Sequence, residues 1–108
     1  MGYTTIEIRS YRCALFAKDA NSAKVSLYND KGINFATAYI RPESEVLPKA
    51  YQDSSGRYRL YYKRSALGDL VDMLRNEKPV YVHFWDGHVE NTHIATSREP
   101  VGEEEDEG

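Results

Sequence analysis

Apolar and polar residues alternate along most of this chain, and the places where the alternation breaks mark its elements. In residues 4–17 (TTIEIRSYRCALFA), Ile6 and Ile8 alternate with Glu7 and Arg9, the two-residue period of a strand. Tyr11, Cys13 and Leu15 keep that period in the opposite phase. The spacing therefore predicts one long strand interrupted by a bend or bulge near Ser10. Residues 19–22 read as a turn. Residues 24–28 alternate again, with Val25 and Leu27 on one face. Asn29-Asp30-Lys31-Gly32 predicts a hairpin turn, because Gly32 is free to take the left-handed conformation that such a loop requires. Residues 33–41 (INFATAYIR) return as the partner strand.

Residues 42–56 hold Pro42, Pro48 and an Asp-Ser-Ser-Gly turn, so they read as a long connection, with room for a short helical piece over 44–50. The next stretch, 57–64 (RYRLYYKR), is a strand with two unlike faces. Tyr58, Leu60 and Tyr62 form an inward set; Arg57, Arg59, Tyr61 and Lys63 form an outward, cationic one. Ser65 is placed to cap a helix over 66–76, where Leu67, Leu70, Val71 and Leu74 make one apolar stripe. Asp69 and Asp72 lie early, Arg75 and Lys78 late, as the helix dipole favours, and Pro79 ends the run. Residues 80–85 (VYVHFW) send Val80, Val82 and Phe84 to the core and Tyr81, His83 and Trp85 away from it. Asp86-Gly87 predicts a two-residue turn. That turn would pair Trp85 with His88, His83 with Glu90 and Tyr81 with Thr92, and it would turn His93 to the opposite face.

The resulting order is β-β-β-β-α-β-β, an α+β chain. It predicts a twisted antiparallel sheet or an OB-like barrel of five or six strands with one packed helix. In the barrel, the strand over 57–64 is an insertion. In the open sheet, four strands precede the helix, an order similar by topology alone to that of the PUR-type single-strand binders. A length of 108 residues suits one core.

Charge divides this chain unevenly. Residues 1–98 hold all 14 Lys and Arg and 11 of the 17 acids, a net charge of +3, although the whole chain carries −3. The remaining acids, Glu99, Glu103, Glu104, Glu105, Asp106 and Glu107, crowd the end. The expected organisation is one α+β domain over 1–98 and an acidic, disordered tail over 99–108. The single cysteine excludes an intramolecular disulfide and suits a reducing compartment. No apolar run approaches the roughly 20 residues of a membrane span. The first residues lack the basic and apolar segments of a signal peptide. The expected location is the cytoplasm.

Candidate chemistry is sparse. Cys13 sits in an apolar strand, where a buried, inert thiol is the default. No phosphate loop or nucleophile elbow is present. His83, His88 and Glu90 share a predicted hairpin face, but no cysteine pair accompanies them and their spacing fits no small-domain zinc pattern. Neither metal, cofactor nor enzymatic activity is expected. The cationic and aromatic faces point elsewhere: Lys and Arg neutralise phosphates, and exposed rings stack on unpaired bases. The expected function is non-catalytic binding of single-stranded DNA or RNA through Arg57, Arg59, Tyr61, Lys63, Tyr81 and Trp85. Cations beside tyrosines also protect an edge strand from aggregation. Exposed Tyr, Trp and Arg equally suit a protein–protein adaptor or inhibitor, or a homodimer.

Overall fold

A computed structural model describes residues 3–18 and 22–96; the acidic tail and most of the predicted turn over 19–22 lie outside the described residues. The chain is α+β. Its strands are β1 (Tyr3–Ile8), β2 (Ser10–Leu15), β3 (Ala23–Tyr28), β4 (Asn34–Arg41), β5 (Tyr51–Gln52) and β6 (Tyr58–Lys63). The helix α1 (Leu67–Asn76) follows, then β7 (Val80–Trp85) and β8 (His93–Thr96). The strands form a three-stranded sheet, β1-β7-β8, and a five-stranded sheet, β2-β3-β4-β6-β5, so the barrel is not closed. Among the described residues no helix is long and apolar enough to cross a membrane.

The phase reversal near Ser10 is the corner between the two sheets. Arg9 separates β1 from β2, and its N–H donates to the carbonyl of Tyr28 at 2.8 Å. Before the corner, Ile6 and Ile8 face inward opposite Val82 and Val80. After it, Tyr11 packs on the core, opposite Leu27. Cys13 and Leu15 share that inner face, yet both are exposed, because β2 is an edge strand. The expectation of a buried thiol is thus corrected.

The β3–β4 hairpin forms as predicted. The Asn29 side chain accepts from the N–H groups of Lys31 and Ile33 at 2.9 and 3.0 Å, and Gly32 has a φ of 75°. A bulge follows, with Leu27 opposite Ala36 and Tyr28 opposite Asn34. Asn34 Nδ2 pins it by donating to the carbonyls of Leu27 and Ala36, at 3.0 and 2.8 Å. The extra residue, Phe35, is thereby buried.

All pairings are antiparallel except β4 with β6, which is parallel. Antiparallel pairing throughout was the expectation. A parallel neighbour needs a long crossing, and residues 42–57 supply it. They contain no helix over 44–50; Pro42 and Pro48 favour extended backbone, and only the short β5 joins the sheet.

The core lies between the sheets. Val25, Leu27, Ile40, Leu60 and Val82 are essentially solvent-free, and the Tyr58 and Phe84 rings, centroids 4.6 Å apart, join the two inner faces. The helix adds buried Leu67 and Leu70, with Val71 and Leu74 packed at the margin. Ser65 does not cap it. A 3-10 turn over Arg64–Ala66 precedes the helix, and the Ser65 N–H and hydroxyl donate instead to the Glu43 carboxylate, at 2.9 and 3.0 Å. These charge-assisted bonds tie the long crossing to the helix start.

The final hairpin also differs from its prediction. The Asp86-Gly87 turn closes, with the His88 N–H on the Trp85 carbonyl at 3.1 Å and a φ of 92° at Gly87. The ladder does not resume there. Val89–Asn91 wind into a 3-10 turn that packs Val89 on the core, so pairing restarts at His83 with His93, and Tyr81 faces Ala95. His83 and His93 therefore share a face.

Leu27 tests this core directly. Leu27→Ala should lower unfolding free energy by about 2–5 kcal/mol in urea titrations, since a fully buried leucine leaves a cavity the two sheets cannot close. A loss below about 1 kcal/mol would contradict the packing described.

Candidate functional site

Register, more than any single strand, builds the outer face of the five-stranded sheet. Lys24 lies opposite Tyr39, and Tyr39 lies beside Tyr61. In the next row Arg12, Ser26, Thr37, Arg59 and Tyr51 run across the sheet in order. Arg41 and Lys63 make a third row. Because side chains alternate between faces, these residues share the face turned away from the core.

Three tyrosines form a row on this face. The Tyr39 and Tyr61 rings lie 5.4 Å apart at 22°, and Tyr61 and Tyr51 lie 6.4 Å apart at 20°. Partial burial, and then a hydrogen bond with Tyr51, raise the pKa of the Tyr61 hydroxyl above that of a free phenol. Tyr61 is therefore neutral at physiological pH. Tyr51, at 45% exposure, is its open end.

Arg59 braces the row. Its Nη2 is 2.7 Å from Asp53 Oδ2, and its Nε donates to the same oxygen at 2.8 Å. Its Nη1 donates to the Tyr39 hydroxyl, and its guanidinium carbon sits 5.6 Å from the Tyr39 ring centroid. Asp53 in turn accepts on Oδ1 from the Ser55 hydroxyl and N–H and from the Arg57 N–H, at 2.7, 3.0 and 3.0 Å. The Ser55 hydroxyl, with the Arg57 and Arg59 bonds, holds the Asp53 carboxyl well below the usual carboxylate range. Arg59 is thus committed to its neighbours. Arg57 is exposed and donates from Nε to the Asn34 carbonyl at 3.2 Å. Arg41 is paired with Glu45, at 3.0 and 3.1 Å. No carboxylate among the described residues pairs with Arg12, Lys24 or Lys63.

Tyr81 and Trp85 stand elsewhere. They lie on the outer face of the three-stranded sheet with Tyr3, His83 and His93. There Tyr3 and Trp85 rings are 4.1 Å apart, and the His83 and His93 rings stack at 4.7 Å. The sheets meet through their inner faces at Tyr58 and Phe84, so the two outer faces point apart. The six residues expected to act together are divided: Arg59, Tyr61 and Lys63 share one surface with Arg57 at its rim, and Tyr81 and Trp85 belong to another. Sequence reasoning missed Tyr39, Tyr51, Lys24 and Arg12. Tyr39 was within reach, since it alternates with the core residues Ala38 and Ile40.

The histidine geometry follows from the shifted hairpin. His83 Nδ1 meets the Tyr3 hydroxyl, and His93 Nδ1 donates to the Asn91 carbonyl at 2.7 Å. His88 and Glu90 approach only to 3.7 Å. Among the described residues no three metal-ligating side chains gather. Comparison of the chain with family models, curated proteins and solved structures gave no match.

Two measurements probe these contacts. Asp53→Asn should lower the melting temperature at pH 7. The carboxylate's folded pKa is depressed, so its stabilisation is complete above the unfolded value of about 3.9 and is lost as pH falls toward the folded value. The gap between wild type and variant should therefore narrow below about pH 4, and a gap that stays constant down to about pH 2 would contradict the bracing role. In the second, burial and then the nearby His93 depress the His83 pKa below the ordinary imidazole value of about 6.5. His93→Ala should move the His83 midpoint upward in an NMR titration, and an unmoved midpoint would count against the stacked pair.

Proposed function

We propose that the outer face of the five-stranded sheet binds single-stranded nucleic acid in the cytoplasm, without catalysis. The observation that carries this reading is the near-parallel row of Tyr39, Tyr61 and Tyr51 set among cations on one sheet face. A base stacks on the exposed end of the row at Tyr51, whose π-face accepts any base. Phosphates meet Lys24, Lys63 and Arg12, cations of this face that no carboxylate among the described residues holds. Arg59 acts here as a positioning residue. It keeps Tyr39 and the Asp53 turn fixed, so the rings need little further ordering when a strand arrives.

This differs from an interface drawn through Trp85, which is on the other sheet. It also accounts for the abundance of tyrosine where phenylalanine would serve a core better. Each ring offers a flat apolar face, while its hydroxyl bonds a neighbour or water.

Fluorescence anisotropy of a labelled dT 12-mer or its RNA counterpart tests the reading. Binding should weaken steeply with salt, Tyr51→Ala should cost about 1–3 kcal/mol, and Lys63→Ala should reduce the salt slope by about 1. Trp85→Ala should leave the affinity unaltered. Absence of binding at about 50 mM salt, both for the wild type and for a variant with the acids at 103–107 replaced by amides, would overturn it.

A further inference from the structure

A cavity of about 250 Å³ opens beside the tyrosine row, between the long crossing and the Val89–Asn91 turn. Its origin lies in the sheet edge. β5 covers β6 only at Tyr58 and Arg59. Continued in register, residues 47–50 would run along Leu60 and beyond, but pairing stops at Tyr51. The chain parts from β6 there and leaves the space.

Its lining is mixed in a particular way. Leu47, Pro48 and Leu60 form apolar walls, Tyr61 belongs both to this cavity and to the row outside, and Lys49 and Glu90 supply one cation and one carboxylate. His88 Nδ1 stands 3.7 Å from Glu90, beyond hydrogen-bond distance, so the carboxylate oxygens keep their accepting capacity.

We infer that this cavity admits one base of the bound strand and selects guanine. The inference rests on the proposed strand-binding face and adds a sequence preference to it. The volume falls just under the roughly 300–1,000 Å³ of ordinary small-molecule sites, which suits a single base. Guanine presents a carbonyl O6 beside two N–H groups, at N1 and N2. An ammonium donates to the first, and a carboxylate accepts from both of the others. Thymine offers one N–H between two carbonyls and leaves half of the carboxylate's capacity unused. Adenine and cytosine each place an acceptor nitrogen where guanine has N1–H. Splaying one base out of a single strand into a pocket is the usual way such strands are read.

The test uses the full chain and four 12-mers, dT throughout or with one central dG, dC or dA. The dG strand should bind about tenfold more tightly than the others. Glu90→Gln and, separately, Lys49→Ala should each bring that preference below about threefold. Equal affinities for the four strands, or a preference that survives in both variants, would overturn the pocket assignment, and if Tyr51→Ala still weakens all four, the strand-binding face stands without it. Failure of every strand to bind would remove the face and the pocket together.

Discussion

The parallel pairing of β4 with β6 is the constraint on which most of this architecture depends. It places Leu60 beside Ala38 and Tyr62 beside Ile40 on the inner side, which completes the apolar wall begun by Val25 and Leu27. On the outer side the same register brings Tyr61 to Tyr39 and Lys63 to Arg41. One set of backbone hydrogen bonds thus fixes both the hydrophobic core and the aromatic row. The pairing also requires the chain to travel the length of the sheet and return. The crossing so created carries β5, the Asp53 turn, the Glu43 anchor and the cavity wall.

Much of the fold was legible because its signals are local. Alternation located the longer strands but not the two-residue β5, the Asn29–Gly32 turn located the first hairpin, and the i, i+3, i+4, i+7 stripe located the helix. Inward and outward sets within β6 and β7 were also readable, since a pleated strand admits only two faces. The phase reversal at Ser10 was visible as a fault in a pattern, although nothing local says that it turns a corner between sheets. What stayed hidden were the relations between distant segments. Tyr39 and Tyr61 are 22 positions apart, and no feature of either strand says that they are neighbours or that they run the same way. The second hairpin was misread for another reason. Asp86-Gly87 does make its turn, but the chain then winds into a 3-10 turn that packs the partly buried Val89 against the core, and the ladder resumes only at His93.

Charge on the outer face of the larger sheet is organised by what is already committed. Asp53 gathers donors from Ser55, Arg57 and Arg59, and Glu45 holds Arg41. The Asp53–Arg59 and Glu45–Arg41 pairs remove two cations from general availability and add rigidity instead. The cations left over are spaced along separate strands, β2, β3 and β6, so they spread across the sheet. A flexible polyanion can follow such a spread, whereas a single small anion gains little from it.

The corner at Arg9 has a consequence for how the molecule assembles. β1 pairs with β7, so residues 3–8 must find residues 80–85 across nearly the whole chain, whereas β3 and β4 are joined by a short turn. Closing so long a loop costs more conformational entropy, and it is recovered only when both ends arrive together. The smaller sheet is therefore the clasp of the molecule, joining the first strand to β7 across nearly the whole chain. Its central strand, β7, carries Val82 and Phe84 into the shared core, so a fault in the clasp is felt on both sides of the interior.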